Sequence, residues 1–304
     1  MMKRKNKTLC CYGTSLVGTS HIKKGTVCQD AHKMSKLMNG WIVAAIADGV
    51  GSAIHSEIAS DIAVSTVIEI LSERIADSNK IEDALSLLPE AYSEAENRIE
   101  KFADEKGDKI TDYDTTLSVV VYDGCNIVYG HSGDGGIVGL TNEGLYIPIT
   151  KPQKADDGVC VIPLRAGEKY WVFGKTDGSY ASVLLATDGV YDTFFPYLLK
   201  GQANEVYVPL IRYFLDNNWL DVNDESIASV GESRIEFLKS NAYDSITDDK
   251  TIVVLINPLI KPSFQDDDYY AEPDWDKLQL EWNKKAYPHM YSDKKESKEE
   301  NDNA

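Results

Sequence analysis

The five cysteines, Cys10, Cys11, Cys28, Cys125 and Cys160, are odd in number and form no CxxC pair. Neither a disulfide framework nor a cysteine zinc site is suggested, and reduced thiols in a cytoplasmic setting are expected. Positive charge is also scarce. Lys and Arg total 31 against 49 Asp and Glu, a formal charge of -18. Nucleic-acid backbones and anionic membrane surfaces are therefore not expected partners. No apolar run approaches the length of a membrane span. The basic start, MMKRKNK, is followed by TLCCYGTSLVGTS, too polar and glycine-rich for the core of a signal peptide. No internal repeat is present. With 304 residues, 43% of them hydrophobic, the chain can bury a sizeable core.

The composition shifts near Pro258. A folded unit is expected over residues 9–258, followed by an acidic, aromatic-containing extension at 259–304. The last dozen residues are charged and polar and are expected to be disordered. Before them, Tyr269, Tyr270, Trp275, Leu278, Leu280 and Trp282 are expected to pack on the domain surface.

WIVAAIA (41–47) is a short apolar run ending at Asp48-Gly49, the pattern of a strand buried on both faces. Residues 54–71 carry a helical apolar stripe, and a second helix is expected over Ile81–Phe102. Hairpin signals then follow in series. LSVVVY and NIVYGH flank Asp123-Gly124, GIVGL and LYIPI flank Thr141–Gly144, and YWVFG and SVLLAT flank Asp177-Gly178. Residues 204–240 read as helical, and TIVVLI (251–256) as a last buried strand. Hairpins outnumber strand-helix alternations, so the expected class is α+β with antiparallel sheets.

The aspartates sit at the ends of these strands. Asp48 and Asp188 directly follow buried strands, Asp248 precedes one, Asp134 lies between two hairpin strands, and Asp30 lies in VCQDAH. A single Asp-Gly is ordinarily a turn. Several carboxylates at one sheet rim would repel one another and raise each other's pKa. A hard divalent cation with oxygen ligands removes that cost. Nearby Gly49, Gly133, Gly135 and Gly189 allow close backbone approach.

Six segments, in order, resemble the metal-dependent protein phosphatases of the PP2C (PPM) family, in a bacterial-type subgroup. ADGVGSAIHSEIAS resembles its Asp-Gly-x-Gly motif, with Glu57, Ala59 and Ser60 in register. CQDA resembles the early Glu/Gln-Asp pair, and DTTLSVVV the Gly-Thr-Thr strand with Asp114 in place of glycine. HSGDGGIVGL resembles the Gly-Asp-Ser-Arg strand, LLATDGVYD the Ser-Asp-Gly-x-x-Asp motif, and ITDDKTIVVLI the Asp-Asn-x-Thr strand. The resemblance implies a sandwich of two antiparallel β-sheets flanked by α-helices. It implies hydrolysis of phosphoserine and phosphothreonine on a phosphorylated protein made by a Ser/Thr kinase, with Mn2+ or Mg2+ as cofactor. Asp48 would bridge two ions, with the Gly49 carbonyl on one, and Asp188 and Asp248 would hold the other. Asp30 would orient the water, and Asp134 and Asp192 would join Asp188 at a third, weaker ion. Two such ions about 4 Å apart lower the pKa of a shared water and clamp phosphoryl oxygens, chemistry that needs no cysteine nucleophile.

The sequence departs from the better-known members at three places. Their arginine five residues before the early Asp is Gly25, their histidine two residues after the first metal aspartate is Val50, and their Ser-Arg pair is Gly135-Gly136. His21 and Lys24, with Lys23, are the nearest groups to receive the phosphate. The losses raise an alternative, a catalytically silent PP2C-like regulatory module; retention of Asp48, Asp188 and Asp248 weighs against it. A structural calcium site is a third reading, and no DxDxDG loop supports it.

Overall fold

A computed structural model describes residues 8–155, 160–216, 218, 222–223, 225–240 and 246–291. Two five-stranded sheets organise it. The first runs β1 (Cys10–Leu16), β10 (Lys250–Ile256), β9 (Tyr180–Ala186), β6 (Gly136–Thr141), β7 (Tyr146–Pro148). The second runs β2 (Ala31–Lys36), β3 (Ile42–Ala47), β4 (Leu117–Tyr122), β5 (Ile127–Ser132), β8 (Val172–Lys175). Every pairing is antiparallel.

The continuous apolar runs follow from burial on both faces of each sheet. Strand side chains alternate between faces. Along β3, Ile42, Ala44 and Ile46 join Val120, Tyr122, Val183, Leu185, Val253 and Leu255 in a core between the sheets. Val43, Ala45 and Ala47 point the other way, onto α2 (Ser56–Arg74) and α3 (Glu82–Lys106). Along β10, Ile252, Val254 and Ile256 face α4 (Asp188–Phe194), α5 (Val208–Leu215) and α6 (Ile227–Lys239). Two helical layers thus enclose two antiparallel sheets, the α+β class read from the hairpins and the sandwich that the resemblance implies.

The central strands and the two long helices lie where the sequence places them. Two edge strands, β1 and β2, do not show in it. Their burial alternates or stays partial, and β2 carries the exposed Lys33 and Lys36. Short α1 (Thr19–Lys24) links them. The helical stretch expected over 204–240 is two helices, α5 and α6; positions 217, 219–221 and 224 within it lie outside the described residues, as does the expected disordered tail.

Four of the aromatic residues expected to pack after Pro258 make contacts on the first sheet's helical side, while Leu280 is exposed. Tyr269 and Tyr270 lean on that core. Tyr269 stacks on Tyr146 and its hydroxyl accepts the Tyr146 N–H at 3.0 Å, while the Arg212 guanidinium lies 4.0 Å over the Tyr270 ring. Helix α7 (Trp275–Ala286) brings Trp275 against Tyr207 and Trp282 against Tyr197. No helix among the described residues is long and apolar enough to cross a membrane.

Candidate metal centre

Strand register gathers the aspartates. Ala31 pairs with Ala47, so Asp30 and Asp48 lie side by side at the end of the second sheet. Ala186 pairs with both Gly136 and Ile252, which brings Asp134, Asp188 and the Asp248-Asp249 pair to the matching end of the first sheet. The backbone of Asp48 is pinned from two sides: its N–H donates to Thr116 Oγ1 at 2.8 Å, and its carbonyl accepts from Thr116 N–H and Thr115 Oγ1.

Carboxylate oxygens of Asp48, Asp134 and Asp188 come within 4.8 Å of one another, close enough for one cation. Asp188 Oδ1 is buried and has no hydrogen-bond partner. Burial raises the Asp48 carboxyl well above its ordinary range, and the charges of Asp30 and Asp188 raise it further. Burial and Asp188 likewise push Asp134 up to about 6, against the opposing charge of Lys154, whose Nζ lies 3.9 Å away. Two carboxyls, Asp48 and Asp134, that disfavour their own ionised state, beside an orphaned oxygen of Asp188, form a donor set that suits a hard divalent cation. The backbone around the group is packed too tightly for side chains at two glycines. A Cβ on Gly49 would lie 2.6 Å from the Gln29 carbonyl oxygen, and one on Gly189 would lie 2.2 Å from that of Asp249.

The other expected residues sit around this group. Asp30 is buried and accepts Thr187 Oγ1–H at 2.8 Å; burial, the leading cause, lifts its carboxyl to about 7. Asp192 and Asp248 join Asp188 and Gly189 around a neighbouring open cavity of about 330 Å³. Both carboxyls are raised, chiefly by burial. The expected division put Asp134 with Asp192 on an outer ion; Asp134 stands in the tight group with Asp48, and Asp188 borders both places. His21 turns inward and its Nδ1 lies 2.8 Å from Asp249 Oδ1, whereas Lys24 is exposed at the end of α1. Cys28 is half-buried; its Sγ meets the Asp30 carbonyl, and burial pushes the thiol up to about 12, so it packs as a neutral group.

Sequence reasoning passed over Asp249. It is the most heavily bonded carboxylate here, accepting Gly18 N–H and Gln29 N–H at 2.6 Å each as well as His21. It therefore ties the loops before β2 and β10 together and fixes the imidazole. The only signal was the doubled aspartate of ITDDKT.

The protein phosphatase 2C family model matches residues 17–225, more than half of the chain. The chain belongs to the protein phosphatase 2C family. It is thereby a metal-dependent protein-serine/threonine phosphatase. No curated protein matches it in sequence. Solved structures share the fold at low identity. A bacterial serine phosphatase is 15% identical with a TM-score of 0.58, covering 84% of this chain and 99% of that one. The serine/threonine phosphatase Stp1 from Staphylococcus aureus is 14% identical with a TM-score of 0.57, over 84% and 99% of the two chains. The catalytic domain of the phosphatase PstP, solved with two manganese ions, is 17% identical with a TM-score of 0.52, over 82% and 99%.

Proposed function

We propose that this phosphatase 2C chain hydrolyses phosphoserine and phosphothreonine in a protein substrate phosphorylated by a Ser/Thr kinase, using Mn2+ or Mg2+ at the carboxylate group. The observation that carries the reading is the convergence of Asp48, Asp134 and Asp188 around an unpartnered, buried Asp188 oxygen. Asp48, Asp134, Asp188 and the Gly49 carbonyl would hold the inner cations, with Asp248 and Asp192 on the open side. Such cations, when bound, would supply a water of lowered pKa and a clamp on the phosphoryl oxygens.

The chain's own residues do the remaining work. Asp30, beside Asp48 and braced by Thr187, accepts a hydrogen bond from the attacking water and so orients it. Asp249 accepts a hydrogen bond from His21 Nδ1–H, which leaves Nε2 as the ring's second polar atom. His21 so held contacts the phosphate in place of the arginine that Gly25 lacks.

Hydrolysis of p-nitrophenyl phosphate with Mn2+, with Mg2+ and with EDTA tests this reading. The rate should need the cation, vanish in EDTA, and fall at least about a thousandfold in Asp48→Asn. A cation-independent rate, or wild-type turnover in Asp48→Asn, would overturn it. No turnover under any cation would return the silent regulatory module.

A further inference from the structure

An unused groove of about 870 Å³ opens beside the metal centre, between the segment after β7 and the segment after α4. Its floor includes the stacked rings of Tyr191 and Phe195, 4.6 Å apart. Exposed Lys151, Lys154 and Lys200 line it, with Tyr197, 66% exposed, on the rim. Lys154 also faces Asp134 at 3.9 Å, and Asp192 lines both this groove and the open cavity shared with Asp188 and Asp248. The groove is thus continuous with the proposed cation site.

The charge here runs against the rest of the molecule. Three lysines outnumber Asp192 and Glu205 in the groove, within a chain of net charge -18. Field and contact oppose each other for an acidic ligand, so any acidic segment that binds must be drawn by these local lysines. The aromatic floor supplies apolar area for the aliphatic and aromatic parts of a peptide. Resting on the phosphatase reading, we propose that this groove takes the acidic flank of the phosphorylated segment, with Lys151, Lys154 and Lys200 pairing its carboxylates while the phosphoresidue sits at the carboxylate group. The chain would then prefer phosphosites embedded in Asp- and Glu-rich sequence.

The test compares three phosphothreonine peptides of equal length whose flanks are acidic, neutral or basic. Wild type with Mn2+ should favour the acidic over the neutral peptide by about tenfold in kcat/KM, and added salt should shrink the ratio. The Lys151→Glu/Lys200→Glu double variant should bring that ratio to about one or invert it. Both residues are exposed, and Lys151→Ser and Lys200→Ser singly give the same direction should the double variant fail to fold. Preference for the basic peptide, no preference, or an unchanged ratio in the variants would overturn the groove assignment. Failure of p-nitrophenyl phosphate turnover marks failure of the phosphatase reading instead. Fluorescence anisotropy of the labelled, unphosphorylated acidic peptide then decides on the groove: binding lost in the double variant supports it, and no binding to wild type overturns it.

Discussion

At Asp188 one carboxylate oxygen is buried without a hydrogen-bond partner, and burial raises the neighbouring Asp48 and Asp134 carboxyls above the usual aspartate range. The consequence for stability has a definite sign. Asp30 and Asp134 are lifted to about 7 and about 6, against about 4 in an unfolded chain. Through that window the native state binds more protons than the unfolded one, so their contribution is full below about pH 4 and is lost as pH rises through 6 to 7. In EDTA, urea midpoints should therefore drop between pH 5 and pH 8, and the drop should be smaller in Asp30→Asn; equal drops would contradict the burial of a proton at Asp30. His21 makes a second expectation. Its loss removes one charge-assisted contact, about 1.5–3 kcal/mol, so His21→Ala should lower kcat/KM roughly ten- to a hundredfold, and a value within about twofold of wild type would remove it from the site. Asp48, Asp134 and Asp188 were legible because each abuts a strong β pattern. Asp249 was not, since its role comes from two backbone N–H groups distant in sequence, which no local pattern encodes.

Between β6 and α4 the packing leaves no room for a side chain. A Cβ on Gly136 would lie 2.1 Å from the Tyr191 ring, and one on Gly135 would lie 2.6 Å from the Ala186 carbonyl oxygen. The Gly135-Gly136 pair, a departure from the family pattern, is thus what lets α4 sit close on the first sheet, with Asp188 at its start. Gly136→Ser should push Tyr191 and α4 away. It should cost about 1–3 kcal/mol by overpacking and weaken Mn2+ binding through the displaced Asp188. Thermal unfolding and a Mn2+ titration check this, and wild-type values in both would refute the docking argument. Central elements such as β3, β4 and β10 were readable because both faces are buried and the residues are mostly apolar. Edge strands β1 and β2 escaped because only one face, or less, is apolar, and their polar residues mimic a loop.

Across the whole molecule, a charge of -18 surrounds a rim where six aspartates meet, Asp30, Asp48, Asp134, Asp188, Asp248 and Asp249. Long-range repulsion of this kind opposes the compact state, and a bound divalent cation relieves it where it is densest. The helix layers follow from the burial of the central strands on both faces, and the register then places the rim. The substrate-side features, the lysine groove and the Asp249 bracket, depend on segments joined only in three dimensions and could not be read along the chain. The claim on which the rest depends is that Asp48, Asp134 and Asp188 form a cation site. Electron paramagnetic resonance of free Mn2+, titrated into EDTA-stripped and dialysed protein, measures it without reference to turnover. Wild type should deplete the free Mn2+ signal, and Asp188→Asn, folded by circular dichroism, should leave most of it in solution; equal depletion by both proteins would contradict the site.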